Sequence, residues 1–299
     1  MNRLIIGSRG SRLALAQVEI VRGLLAKAHS GLKVETKIIK TTGDQFHNLS
    51  LVSGGGKGLF TKEIEEQLLR GEIQVAVHSM KDLPTVLPGG LTIGAVPPRE
   101  DAHDVLVTKN AIAFEALAQG AVVGTSSIRR RAQLLAHRPD LQITEIRGNV
   151  ETRLRKLIES SEMEAIVLAA AGLNRLDLWN QFGELLWHDL EHDVMIPAVG
   201  QGAIACEVRE DDRETLELLA AINDESSRVA VEAERAFLRA MGGGCQVPYA
   251  AHATVDAEEV FLIAASFSAD GKDAKRAEAV GLITNPSEIG ERAAKQILG

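Results

Sequence analysis

Apolar positions along the 299 residues alternate between short strand-like runs and longer helical patterns. Residues 3–7 are a short apolar run, and 12–28 set Leu13, Leu15, Val18, Ile20, Val21, Leu24 and Leu25 at helical spacing, closed by Gly31. A strand at 34–39 completes a β-α-β opening, and a helix follows the glycine run 54–58, ending near Arg70. The buried-type strand 73–77 comes next. Further on, the pattern predicts strands at 105–108, 121–124, 141–146, 165–168, 203–208 and 260–267. Helices are expected near 113–118, up to His137, over 150–160, near 212–221, over 286–298, and in a long stretch carrying Val229, Val231, Ala233, Ala236, Phe237 and Leu238.

Two proline-containing segments punctuate this order: Pro97-Pro98-Arg99-Glu100-Asp101 and Pro197-Ala198-Val199-Gly200-Gln201-Gly202. They read as hinges, and the strand after the second can return to the first unit, so that two crossings join two lobes. The expected fold class is α/β with three domains, two α/β lobes joined by the two crossings and a small α+β C-terminal domain. The boundaries are 1–97 plus 198–215 for the first lobe, 98–197 for the second, and 216–299 for the last.

Composition narrows the function. Hydrophobic content of 45% and charged content of 25% are those of an ordinary soluble globular chain. The net charge of −8 argues against general nucleic-acid binding, and two Trp and one Tyr give no stacking stripe. The N-terminal apolar run is too short for a signal peptide and no later run is long enough to cross a bilayer, so a cytoplasmic protein with no membrane partner is expected. Zinc-ligand spacing, a dinucleotide glycine fingerprint and a nucleophile elbow are all missing from the sequence.

The arginines, however, collect beside small polar residues in Arg9-Gly10-Ser11-Arg12, Ser126-Ser127-Ile128-Arg129-Arg130-Arg131 and Arg147-Gly148-Asn149. Helix-start amides, hydroxyls and guanidinium forks suit carboxylate or phosphate, so the sequence points to a small polyanionic ligand. Gly54-Gly55-Gly56-Lys57-Gly58 is similar to a phosphate-binding loop but lacks its first glycine and its magnesium-binding hydroxyl, which leaves a glycine lid with a cation on it. His78-Ser79-Met80-Lys81-Asp82 follows a buried strand at its carboxyl end, where α/β sheets bind ligands. His78 reads as an interior histidine. Gly242-Gly243-Gly244-Cys245 is either a tight loop presenting a thiol or a bend around a small buried hydrophobe, while Cys206 reads as structural.

Taken together, these segments and Ala171-Gly172-Leu173-Asn174-Arg175-Leu176 resemble the porphobilinogen deaminase, or hydroxymethylbilane synthase, family in order and over nearly the whole chain. The resemblance implies two lobes like those of periplasmic binding proteins around a cleft, and a dipyrromethane cofactor, thioether-linked to Cys245. It implies a transferase that joins porphobilinogen units with loss of ammonia into the tetrapyrrole hydroxymethylbilane, and Asp82 as its catalytic carboxylate. Cofactor-binding residues so implied are Cys245, Lys81, Asp82, Thr125, Ser126, Ser127, Arg129, Arg130, Arg147 and Gly148. Arg9, Ser11, Arg147, Arg153, Arg175, Gln201 and Gly202 would hold substrate, with Lys57 and Phe60 on the lid; no metal is implied. Some relatives carry a further lysine four positions before Lys57, where this chain has Ser53. Porphobilinogen and the growing pyrrole chain are the expected partners of a monomer. A non-catalytic, two-lobed carboxylate-binding protein is the rival expectation.

Overall fold

The computed structural model describes residues 2–45, 60–110, 113–243 and 248–299. The first unit contains β1 (Arg3–Ser8), α1 (Arg12–Ala28), β2 (Lys33–Ile38), the short α2 (Thr42–Gln45), α3 (Lys62–Leu69), β3 (Val75–Ser79) and β4 (Leu91–Ala95). The second contains β5 (Asp104–Thr108), β6 (Val122–Gly124), α4 (Ile128–His137), β7 (Gln142–Thr144), α5 (Val150–Glu159), β8 (Met163–Ala169), α6 (Ala170–Arg175), α7 (Leu178–Gln181) and β9 (Leu186–Leu190). After it come β10 (Ile204–Arg209), α8 (Arg213–Ala220), α9 (Glu225–Ala240), β11 (Tyr249–Asp256), β12 (Glu259–Phe267), β13 (Ala274–Leu282) and α10 (Pro286–Leu298).

The first sheet has the order β2-β1-β3-β10-β4 and the second β7-β6-β8-β5-β9. In each, three parallel strands are followed by an antiparallel strand in fourth position: β10 runs against β3 from Ile204↔Ser79, and β5 runs against β8 from Asp104↔Ala169. These fourth strands are the ones that leave the hinges, so both crossings enter the interior of a sheet. Apolar side chains cover both faces of each. Val18, Val21 and Leu25 of α1 pack one face of the first sheet and Ile64 and Leu68 of α3 the other. In the second sheet, Leu154 and Leu157 of α5 cover one face and Leu134 of α4 the other. Such coverage is what continuous apolar strands require.

The C-terminal unit lays α9 and α10 across an antiparallel sheet in the order β11-β12-β13. It touches both lobes: Val231 of α9 joins a cluster with Met80 and Leu83, and Phe267 joins one with Ala132 and Ile196. The helix expected near 113–118 is a single 3-10 turn, Phe114–Ala116. Phe114 and Leu117 are both buried, and a three-residue repeat suffices for that. Strands β4, β9, β11 and β13 escape the periodicity reading. In β13 the inward residues are Ala277 and Ala279, on either side of Glu278, a weak strand signal.

The hinges are held by one buried ion pair. Glu234 of α9 takes Nη1 and Nη2 of Arg99 at 2.7 and 3.2 Å, and also accepts from the Gly200 and Ala253 amides at 2.6 and 2.8 Å. Arg99 Nε in turn donates to the Gln201 carbonyl at 2.8 Å. Beside this clasp His103 stacks on His192 and His252 lies tilted against it, both pairs at 4.6 Å, and burial pushes His252 down to about 3, which keeps it neutral. Gly202 has φ of 85°, and a Cβ there would lie 2.2 Å from the Glu100 carbonyl, so the two crossings meet backbone to backbone.

Removing one partner of a buried pair strands the other charge. Glu234→Ala is therefore expected to cost about 3–5 kcal/mol of stability. Denaturant unfolding checks this, and an unchanged midpoint would assign no stabilising role to the clasp.

Candidate functional site

The strand-to-helix turns at the carboxyl ends of β1 and β3 enclose a cavity of ≈ 70 Å³ lined by Arg9, Ser11, Gln17, Phe60, Ser79 and Asp82, among others. Ser11 caps α1 by accepting from the Ala14 amide at 3.2 Å, so its own O–H stays available as a donor. The guanidinium of Arg9 lies 4.2 Å from the centre of the Phe60 ring, a cation–π contact that fixes its direction. Gln17, buried within α1, donates to Ser79 Oγ at 2.8 Å. Asp82 closes a 3-10 turn, Met80–Asp82, and its side chain is exposed at the mouth of this cavity.

Across the cleft, the Thr125-Ser126-Ser127 turn opens α4. Thr125 Oγ1 accepts from the Ser127 amide at 3.2 Å, Ser126 Oγ donates to the Ile146 carbonyl at 2.8 Å, and Ser127 caps the helix at Arg130 N. Arg129 and Arg130 are buried on Asp104, the first residue of β5. Arg129 Nη1 reaches Asp104 Oδ2 at 2.7 Å and the Ile196 carbonyl at 2.7 Å. Arg130 Nε and Nη2 reach Asp104 Oδ1 at 2.9 and 2.6 Å, with Nη1 on the Val167 carbonyl at 2.7 Å. At the start of α5, capped by Asn149, Arg147 pairs with Glu145 at 3.0 Å and Arg153 Nε donates to the Gly148 carbonyl at 2.8 Å.

The hinge joins the two walls. Gln201 Oε1 accepts from Lys81 Nζ at 3.2 Å, and its Nε2 donates to the Ala102 carbonyl at 2.7 Å and to Asp104 Oδ1 at 3.0 Å. Arg175 Nη2 donates to the Gly202 carbonyl at 2.5 Å. Arg12 at the start of α1 pairs with Glu151 at the start of α5, so an ion pair spans the rim between the lobes.

These cations burden one another. Burial, then the charge of Arg130, pushes Lys81 down to about 8. The same two causes lower Arg153 to about 10, and burial lowers Arg175 to about 10 against the opposing field of Glu100. Burial acts to raise the Asp104 carboxyl, but Arg129 and Arg130 outweigh it and hold it far below the usual carboxylate range. An anion in the cleft relieves this crowding, which makes the site electrostatically selective for one.

Most of the residues expected from sequence thus converge on two facing walls and the hinge between them. Lys57 and Cys245, and Ser53 with them, lie outside the described residues. Cys206 is fully buried in β10, and burial pushes its thiol up to about 12, so it is no nucleophile at neutral pH. His78 is interior, with Nε2 3.2 Å from Glu207 Oε2. Sequence reasoning passed over Asp104, Gln17, Ser79 and Glu234. Asp104 opens a fully buried strand, and Gln17 sits on the apolar stripe of α1 with Val18 and Val21; in both cases a polar residue in a buried register was the available signal.

Residues 4–217 match the family described as porphobilinogen deaminase, dipyromethane cofactor binding domain, and 229–299 match porphobilinogen deaminase, C-terminal domain. The chain is 50% identical to the porphobilinogen deaminase of Geobacillus sp. (strain WCH70) over 100% of its length and 94% of that protein. It is 50% identical to that of Syntrophotalea carbinolica (strain DSM 2380 / NBRC 103641 / GraBd1), covering 99% of this chain and 92% of the relative. Among solved structures, an ancestral arginine-binding protein bound to arginine aligns with 74% of this chain and 91% of its own at 16% identity and a TM-score of 0.39, too distant to carry an argument.

Lys81 carries its charge below about pH 8 and loses it above, because its pKa is lowered in the folded chain. Affinity for a small dicarboxylate should therefore hold below that pH and fall as pH rises through it. Calorimetric titration across the range checks this, and a flat profile would assign recognition to the arginines alone.

Proposed function

The chain belongs to the porphobilinogen deaminase family, and we propose that Asp82 is its catalytic carboxylate, Cys245 its cofactor anchor and the cationic cleft its holder of pyrrole carboxylates. The enzyme is a transferase that joins four porphobilinogen molecules into the linear tetrapyrrole hydroxymethylbilane with release of ammonia. The dipyrromethane cofactor of this family supplies the primer on which the chain grows. The rival expectation, a non-catalytic carboxylate-binding protein, is set aside by these matches.

One observation carries the residue assignments: among the described residues lining the Arg9–Ser11 cavity, Asp82 supplies the one carboxylate, and it is exposed beside Lys81, whose Nζ donates to the hinge residue Gln201. Loss of the amine leaves positive charge on the substrate ring, and condensation then releases a proton from a ring carbon. A carboxylate at the mouth of the Arg9–Ser11 cavity can stabilise the first and accept the second. Guanidinium forks pair with the acetate and propionate groups of each ring without entering the chemistry.

In this reading Arg9, Ser11, Arg147, Arg153, Arg175, Gln201 and Gly202 hold incoming substrate. Lys81, Asp82, Thr125, Ser126, Ser127, Arg129, Arg130, Arg147 and Gly148 surround the cofactor, with Lys57 and Phe60 over the site. The donor set fits a polycarboxylate: several cationic side chains whose pKa values burial and mutual repulsion already depress. Sealing of Cys206 within β10 supports Cys245 as the anchor, since the sequence has two cysteines. Sheet membership supports a first lobe made of 1–97 and a segment returning at 198, and a second lobe of 98–197; the expected boundary between 215 and 216 falls inside α8, whose Leu216 and Leu219, with Ile222, pack in the first-lobe core, so the C-terminal unit is better begun after Ile222. A cytoplasmic monomer is the setting we assign; no helix among the described residues is long and apolar enough to cross a membrane.

Asp82→Asn should reduce turnover to near zero with the circular-dichroism spectrum unchanged; wild-type ammonia release by this variant would remove Asp82 from catalysis. The intact mass should exceed the sequence mass by two pyrrole units, and Cys245→Ala should abolish both the excess and activity. An unmodified mass in an active wild-type preparation would sink the anchor assignment.

A further inference from the structure

We propose that Asp104 is the positioning residue that couples the arginine pair of the second lobe, through Gln201, to the Lys81-Asp82 turn of the first. The inference deepens the reading above and rests on it. Asp104 is 0% exposed and accepts four hydrogen bonds from three side chains: one from Arg129, two from Arg130 and one from Gln201. With three of these bonds on Oδ1, one on Oδ2 and no exposed surface, Asp104 offers no face to a ligand. Its effect must pass through the groups it holds.

Two consequences follow from those bonds. First, both guanidiniums are turned by one anion. Arg130 commits Nε and one Nη2 proton to Asp104 and one Nη1 proton to Val167, while Arg129 commits its two Nη1 protons to Asp104 and Ile196. The N–H groups left over are fixed in direction before any ligand arrives, which is preorganisation in the sense that matters for affinity. Second, the amide of Gln201 is oriented. With Nε2 donating to Asp104 and to the Ala102 carbonyl, Oε1 is turned to Lys81 Nζ. The line Arg130, Asp104, Gln201, Lys81 is continuous, crosses the hinge and ends one residue from Asp82. Asp104 also offsets part of the burden on Lys81, whose charged form burial and Arg130 disfavour.

An asparagine at this position keeps the shape but removes the charge, and it sets an amide N–H against a guanidinium. Asp104→Asn, studied as holoenzyme, is therefore expected to raise KM for porphobilinogen about tenfold or more, the usual scale for hydrogen bonds to charged groups. It should also move the alkaline limb of kcat/KM, set by Lys81, about half a unit or more to lower pH. Asp104→Glu keeps the charge, so its limb should stay at the wild-type position even where KM rises. A merely structural Asp104 would lower the melting temperature and leave the limb in place. An unmoved limb or an unchanged KM in Asp104→Asn, or a limb displaced equally in both variants, would overturn the proposal. Should Asp104→Asn fail to fold, Gln201→Leu cuts the link while keeping both arginine pairs; its limb must move the same way, and an unmoved limb overturns the proposal. Ammonia release and the two-pyrrole mass excess in the wild-type protein test the underlying function separately, so that a failure here is not a failure there.

Discussion

Glu234 is where three parts of the chain meet one buried charge. It sits on α9 of the C-terminal unit, pairs with Arg99 on the first crossing and accepts from the Gly200 amide on the second. Desolvating a carboxylate and a guanidinium is expensive, and only a full set of partners in good geometry offsets it. Apart from the Ala253 amide of β11, those partners are hinge backbone and a hinge side chain. The clasp therefore fixes where both crossings run, and with them the turn at Gln201 and Gly202 on which the two walls of the cleft are set.

The cleft itself is arranged against local stability. Lys81, Arg130, Arg153 and Arg175 are all driven below their ordinary pKa values by burial, and for Lys81 and Arg153 the charge of Arg130 adds to it. A core built for stability alone would not gather like charges this way. The arrangement makes sense as a socket whose balance is completed by the ligand, and it explains why an acidic chain of net charge −8 can recognise a polyanion. Charge is concentrated where it is used, and the rest of the surface is free to be negative.

Much of this was legible in the sequence, for identifiable reasons. Helices α1, α9 and α10 carry long apolar stripes, and the turns of α1 and α4 carry a serine cap beside arginines, so both the elements and the cationic walls could be read directly. The return of β10 to the first sheet was anticipated from the second hinge, and the pairing Ile204↔Ser79 is how the chain does it. What escaped were interactions between residues far apart in sequence. Arg129 and Arg130 looked like ligand contacts because nothing near them in the chain is acidic; their partner lies 25 and 26 positions earlier. Glu234 looked like one more charge on a helix, since the guanidinium and the amides that it serves lie far from it in sequence. The weak strands β11 and β13 were hidden by alanine and charged residues in place of β-branched ones.

The place of β10 also constrains how the protein is made. In the first sheet, β4 pairs only with β10, and β3 has β10 as its second neighbour. When the ribosome has released residues 1–97, β4 has no strand to pair with and one edge of β3 is bare. The second lobe, whose five strands are continuous from β5 to β9, can close its sheet before the first can. Assembly by vectorial synthesis, in which N-terminal units usually fold first, is thus inverted: the nascent first lobe must be kept from pairing its open edges with other chains until residue 209 emerges.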